Sequence, residues 1–424
     1  MAAAIAAIAV SAAAAAPLKV AVIGGSLGGL AAATAFVRLG AQVRVFEKGP
    51  ASFEGRGASL GFVAVQLWEA LTGRTMIRRG VQASRAQGAF LYGDLWTFLA
   101  KGLPAGTISY GVNVADLGED ASRPTIAGEA FDLAIVAEGT WSTLRSRYFG
   151  AEVPTYAGWQ AYRFRVPMDL VPGWQSEGEF SNGFYSTILM HIAKDDGSDW
   201  IMGGTSMACP ESDVKRPALG LNRHAGGVEL EDGTPEWFLK FYKEKFGRAA
   251  GGELYRAMKA AARHGKITAN PQYEFAASKI VAGRIVLVGD AAHTAVPRTA
   301  AGAHTAVLDG MALLEAFEPA LRAARGEWSA AAVERGLRDY EPAALQRARG
   351  LYNRSIEVSR PVLPPGWTRE AASTPLTAAR AAAMNVAQLK AELLARRVPI
   401  AGLAEKGDLL RALLDAAALS VAVE

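Results

Sequence analysis

Two glycine-containing turns, each at the tip of an apolar run, hold the residues best suited to chemistry. The first is Gly24-Gly25-Ser26-Leu27-Gly28-Gly29, which follows LKVAVI and opens the run LAAATAFVRLG. In a strand–turn–helix of this kind, small residues let backbone approach a pyrophosphate, and the helix start offers N–H donors and a positive dipole end. Gly24, Gly28 and Gly29 suit that approach, and Ser26 takes the place of the middle glycine. Glu47 closes the next apolar run at the spacing expected of a carboxylate that binds an adenosine ribose, with Lys48 beside it. Together they predict a dinucleotide site, where a lone glycine pattern would be consistent with a structural turn. The second turn lies in GRIVLVGDAAHTAVPRTAAGAHTAV, which delivers Gly289 and Asp290 at a strand tip before a helix that begins near Gly302 and Ala303. Asp290 can accept hydrogen bonds from cofactor hydroxyls, and amides at the helix start can stabilise negative charge on a bound ring. The competing reading is a buried aspartate that caps the helix.

The elements that must carry these turns follow from pattern. LKVAVIGG reads as a buried strand, SLGGLAAATAFVRLG as a helix stopping at Gly40, and AQVRVFEKG as a second strand. Residues 85–135 alternate a helix-like segment, GDLWTFLAKGL, with short β pieces and end in the strand FDLAIVA. Residues 151–275 mix aromatics, glycines and polar residues in short runs, which predicts antiparallel strands joined by turns. After the strand GRIVLVGD, a helix is expected from about Gly302 to Phe317 and one or two more over 328–358. The prolines of SRPVLPPGW end that helical run and open a linker to about Ala383. VAQLKAELLA and KGDLLRALLDA are then two short amphipathic helices.

Composition narrows the class. With 424 residues, 50% hydrophobic and 20% charged, the chain suits a globular protein of more than one domain. The net charge is +4, but the basic residues are scattered and form no nucleic-acid arm; a mildly basic surface favours anionic ligands. The one cysteine, Cys209, precludes an intramolecular disulfide, and the five histidines show no zinc spacing, so no metal is expected. The leader MAAAIAAIAVSAAAAA is too short and too weakly apolar to span a membrane. It is read as a frayed alanine helix on a cytoplasmic protein, with a cleaved targeting segment as the alternative.

Over roughly residues 18–358 the chain resembles the group A flavoprotein monooxygenases, the family of para-hydroxybenzoate hydroxylase. VIGGSLGGLAAA with Glu47, GRGAS at Gly55 to Ser59, FDLAIVAEGTWSTLRSRYFG and GDAAH…P…AAG carry the likeness. GGSLGGL, YAGWQAYRF and TAAG point to the subgroup that includes 2,6-dihydroxypyridine hydroxylase. The resemblance implies a Rossmann-type α/β FAD-binding domain (18–150 and 278–358) with an inserted antiparallel substrate domain (151–277). A leader (1–17), a linker (359–383) and a C-terminal helical hairpin (384–424) complete the organisation. It further implies that Gly24, Ser26, Gly29 and Glu47 bind the ADP half of FAD. Arg56 lies along the FAD groove, Asp290 binds the ribityl chain, and Pro297 sits beside the isoalloxazine. The implied activity is hydroxylation of a small aromatic or heteroaromatic compound with NADPH or NADH and O2. His293, Arg163 and Tyr185 are the candidates for substrate contact. Each has a plainer reading: a hydrogen-bonded residue beside the flavin loop, a surface arginine and a core tyrosine.

Three departures from the family pattern stand out. Glu138-Gly139 replaces an Asp-Gly pair linked to FAD and NAD(P)H. A basic residue on the helix after the first strands is missing, with Thr97 near its place. Residues 71–85 and 111–131 are short. These departures keep two alternatives open, a flavin reductase or oxidase and a flavin-binding protein without turnover. The C-terminal hairpin resembles a SAP module, with Val386, Leu389 and Leu393 as one stripe and Leu409, Leu410 and Leu413 as the other. From Ala371 onward six basic residues face five acidic ones, a poor footing for nucleic acid. A protein-interaction or packing role is expected instead.

Overall fold

The computed structural model describes residues 17–52, 59–60, 62–74, 90–175, 178–193, 199–211, 228–229, 236–248, 252–264, 267–403 and 405–421. Arg56, most of GRGAS, the leader up to residue 16 and residues 75–85 lie outside them.

The expected opening forms as read: β1 (Lys19–Ile23), α1 (Leu27–Arg38) and β2 (Gln42–Glu47). Continuing along the chain, α2 is Phe62–Thr72, α3 Tyr92–Ala100, β3 Ile108–Tyr110, β4 Leu133–Val136 and α4 Thr143–Tyr148. Strands β1, β2, β3, β4 and β11 (Ile285–Leu287) form parallel neighbouring pairs, β11 on β4, and the edge strand β10 (Val281–Ala282) is antiparallel to β11. The order is β10-β11-β4-β1-β2-β3. β1 and β4 are apolar and almost wholly buried, as parallel strands covered on both faces must be.

The antiparallel sheet runs β6 (Gly178–Asn182), β7 (Tyr185–Ala193), β8 (Asp199–Ala208), β5 (Thr155–Pro167) and β9 (Ile267–Ala276), with Val228–Glu229 beyond β9. The interval between β8 and β9 also contains two helices that the reading of this region as strands and turns missed, α5 (Glu236–Phe246) and α6 (Glu253–His264). In α6, Leu254, Ala257, Met258 and Ala261 recur at helical spacing and are all buried. They join Phe241 and Tyr242 of α5 and Tyr162, Phe164 and Val166 of β5 in one core.

The short pair β12 (His293–Thr294) precedes α7, which spans Gly302–Ala323. Residues 328–358 contain a single long helix, α8 (Ala330–Ser359), which continues through Pro342. α7 packs on α1 where Gly310 meets Ala31; a Cβ on Gly310 would overlap that residue. This close approach brings the starts of α1 and α7 to one side of the parallel sheet.

The stretch expected as a linker is structured. It holds a turn at Arg360–Val362 and two short helices, α9 (Arg369–Ser373) and α10 (Ala378–Ala383). Trp367 and Ala372 are buried against Tyr156, Cys209 and Tyr273 of the antiparallel sheet. The hairpin forms as α11 (Val386–Ala395) and α12 (Lys406–Val421). Leu389, Leu393, Leu409 and Leu413 are its buried seam, with Leu410 partly buried, whereas Val386 is 39% exposed and lies off the stripe.

Candidate functional site

Open parallel sheets bind ligands beyond the carboxyl ends of their strands, and the first turn lies there. Gly24 has φ of +106°, and a Cβ on it would overlap the Ala137 carbonyl oxygen at the end of β4. Only glycine fits both demands. Gly28 backs onto Gly289 at the end of β11, and Gly29 backs onto Gly24. Ser26 is the N-cap residue of α1 by backbone position but makes no capping hydrogen bond. Its hydroxyl meets the Tyr92 hydroxyl, and the Leu27 N–H donates to the same phenol oxygen at 3.4 Å. The Trp96 indole donates to Gly25 O at 2.7 Å, so α3 is fastened over the turn.

Glu47 is buried, and its two oxygens accept from Gly25 N–H (2.7 Å) and Gly49 N–H (2.6 Å). Each oxygen keeps acceptor capacity for a ribose hydroxyl. Lys48 is exposed.

The second turn comes to the same place. Asp290 is exposed although protein crowds around it, and among the described residues its carboxylate accepts no hydrogen bond. Burial raises its pKa, His293 opposes that and Asp309 adds to it. The reading of Asp290 as a helix cap does not hold, because α7 starts at Gly302 without any side-chain cap. A Cβ on Gly302 would meet nothing, which leaves open space before the uncapped helix start, and Ala303 is half-buried in its first turn. Pro297 is exposed at the head of a short turn, Pro297–Thr299.

His293 is not placed for substrate contact. It is 1% exposed, and its Nε2 lies 2.7 Å from Asp309 Oδ2. The same Asp309 oxygen accepts from Gly289 N–H at 2.9 Å, and Oδ1 accepts from Arg347 Nη2 at 3.1 Å. Burial pulls the His293 pKa down, but the Asp309 charge and hydrogen bond outweigh it, so the pKa is raised overall. Asp309, the residue the sequence reading missed, therefore anchors both the Gly289 turn and the His293 loop. Arg145 is a second missed anchor. Buried, it donates to Ala291 O (3.1 Å) and Thr140 O (2.9 Å) and stacks over Phe275 at 4.1 Å. Burial pushes its pKa down to about 10, which leaves it charged at neutral pH.

Glu138 also departs from expectation. Its carboxylate accepts from Ser142 Oγ (2.6 Å), Leu144 N–H (2.9 Å) and Thr143 Oγ1 (3.2 Å), which caps the first turn of α4. Gly139 follows it, half-buried, with φ of +85°.

The antiparallel sheet separates the other two candidates by strand alternation. Tyr185 is buried on the helix-covered face, edge-on to Phe241 at 4.8 Å, and is a core residue. On the opposite face, Ala157, Trp159 and Ala161 of β5 pack against Val296 and Val362. Arg163 continues that row, opposite Gly204 and Thr268. It is half-buried and has no hydrogen-bond or ion-pair partner among the described residues; burial lowers its pKa. Arg298 ties the Pro297 turn to this sheet, donating to Ser186 Oγ (3.0 Å), Glu179 Oε1 (2.9 Å) and Val358 O (3.2 Å).

A family described as FAD binding domain matches residues 203–355. 6-Hydroxynicotinate 3-monooxygenase of Bordetella bronchiseptica is 25% identical over 350 residues, which cover 71% of this chain and 82% of that one. In fold, the chain matches 2,6-dihydroxypyridine-3-hydroxylase from Arthrobacter nicotinovorans with a TM-score of 0.65 at 19% identity, over 86% of this chain and all of the other. The chain is thus similar to the FAD-dependent aromatic monooxygenases, the group A flavoprotein monooxygenases. A salicylate hydroxylase substrate complex has a TM-score of 0.62 at 22% identity, over 94% of this chain and 98% of that one. A flavoprotein monooxygenase needs sites for a diphosphate, a ribose and a ribityl chain. The residues present fit FAD: two helix starts whose own N-cap residues make no side-chain cap, acceptor capacity on Glu47, and an exposed Asp290.

Proposed function

We propose that this flavoprotein monooxygenase hydroxylates a small aromatic or heteroaromatic compound that carries an anionic group, and that Arg163 holds that group. The single observation behind the reading is a half-buried arginine that has no hydrogen-bond or ion-pair partner among the described residues, on the sheet face that packs against the loop before Pro297. Among the described residues nothing compensates this partly desolvated charge, and a ligand carboxylate or phenolate would do so. Gly204 beside it leaves room over the sheet, since a Cβ there would sit 3.9 Å from the Arg163 side chain.

In this reading Gly24, Gly28, Gly29 and Ser26 receive the diphosphate, Glu47 the ribose, and Asp290 the ribityl hydroxyls. The α7 amides at Gly302 and Ala303 face the ring. FAD, when bound, accepts hydride from NADPH or NADH and activates O2 for transfer of one oxygen atom to the substrate. The chain's own residues orient the two partners. Arg163 fixes the substrate and favours its ionised form, Arg298 fixes the spacing between the sheet and the Pro297 turn, and Asp309 fixes Gly289 and thereby Asp290.

The experiment is anaerobic reduction by NADPH and by NADH with a panel of hydroxylated aromatic acids and their neutral amides. Acids should accelerate reduction and amides should not. Arg163→Gln should raise the apparent Kd of the active acid by about tenfold or more, the loss of a charge-assisted contact, with bound FAD unchanged. Equal response to acids and amides removes Arg163 from the site. Failure of both nicotinamides across the panel favours the alternative of a flavin-binding protein without turnover.

A further inference from the structure

Tyr92 was absent from the sequence reading, which looked to Thr97 on the same helix. Thr97 is exposed, and among the described residues its hydroxyl donates to its own helix, Thr97 Oγ1 to Gly93 O at 2.8 Å. Tyr92 instead begins α3 and projects its phenol onto the start of α1. Its oxygen meets Ser26 Oγ and receives the Leu27 N–H. That is the point where a helix start, lacking a side-chain cap, presents amides and a positive dipole end. The phenol is half-buried, and burial first, with Asp290 and Glu47 adding, pushes its pKa up to about 12. It is neutral at any working pH and always has a proton to donate.

We propose that the Tyr92 hydroxyl is a ligand of the cofactor diphosphate. In the free chain it covers the N-terminus of α1. When a diphosphate arrives, the phenol exchanges Ser26 and Leu27 for a phosphate oxygen, to which it donates, and the Leu27 N–H turns to the same anion. Trp96, one helical turn along α3, holds the helix in register through Gly25 O. The site thus gathers a neutral donor beside two carboxylates, Glu47 and Asp290, and the neutral phenol answers the diphosphate by hydrogen bonding without adding a charge. The inference rests on the FAD-binding reading and adds a residue to it.

The test uses the full chain stripped of flavin. FAD affinity is measured by flavin fluorescence for wild type, Tyr92→Phe and Tyr92→Gln, with ADP and adenosine as competitors. Tyr92→Phe should weaken FAD and ADP by roughly tenfold to a hundredfold, the loss of one hydrogen bond to a charged group, and leave adenosine unchanged. Tyr92→Gln, which restores a donor, should recover part of the loss. Unchanged or tighter FAD binding by Tyr92→Phe overturns the proposal and makes the phenol only a cover. Equal weakening of adenosine also overturns it, since the role is then structural. A wild-type chain that binds neither FAD nor ADP overturns the proposal and the FAD reading together.

Discussion

At the residue scale, Glu138, one methylene longer than the expected Asp, is tied to the start of α4. Its carboxylate receives the Ser142 hydroxyl and the Leu144 N–H, and so satisfies part of the helix start of α4. Replacing it with Gln removes the charge at a helix N-terminus and weakens the cap, at a cost of about 0.5–2 kcal/mol. Chemical denaturation should show that loss, while anaerobic flavin reduction by NADPH should be unchanged. A selective loss of reduction without loss of stability would return Glu138 to the nicotinamide step.

At the scale of elements, α7 and the Gly289–Thr294 segment are joined by a buried ionic cluster. Asp309 faces His293, Arg347 and Gly289 N–H, and its field also reaches Tyr340 and Asp290. The His293 pKa is raised in the folded chain, so its stabilisation is complete below the unfolded value of about 6.5 and is lost as pH rises through the folded pKa. The Asp309 pKa is lowered; burial opposes this, and His293 and Arg347 outweigh it. Its contribution is present above the unfolded value of about 3.9 and lost as pH falls through the depressed one. Thermal midpoints taken from pH 6 to 9 should therefore fall with pH in the wild type, and the slope should flatten in His293→Gln. An equal slope in both would mean that the pair does not titrate in this window. This α-helix-to-loop tie escaped the sequence because His293 and Asp309 are sixteen residues apart and neither lies in a recognisable pairing pattern.

At the scale of the molecule, the C-terminal helices are packed against the antiparallel sheet. Ala391 and Ala395 of α11 join Trp367 and Ala372 against Tyr156, Cys209 and Tyr273, while Leu389 and Leu393 face α12. A helix buried on two sides supports a packing role for the hairpin. Arg380 adds a link between α10 and α11 through Glu392, at 3.1 Å. Trp367→Ala should cost about 3–5 kcal/mol by opening a cavity at this junction. It should lower the thermal midpoint and loosen substrate response more than FAD binding. If the midpoint is unchanged, the C-terminal helices are not coupled to the sheet.

The sequence by itself determined the parallel half and its two glycine turns. β1, β4 and β11 are short apolar runs and β2 alternates polar residues with Val43 and Val45, each followed within two residues by a glycine or an acidic residue, and such local signals need no partner to be read. Gly24 and Gly29 were legible because only small residues satisfy a tight turn against neighbouring backbone. The tertiary structure alone decided which of the other candidates are packed into a core and which are not. Arg163 and Tyr185 lie in similar aromatic strands, but register and strand alternation send one to the open face and the other into the core. Likewise, His293 left the substrate list because a distant aspartate claims it, and Tyr92 entered the site because α3 folds back over the turn of α1. Contacts between residues far apart in the chain depend on packing geometry, which no local spacing encodes.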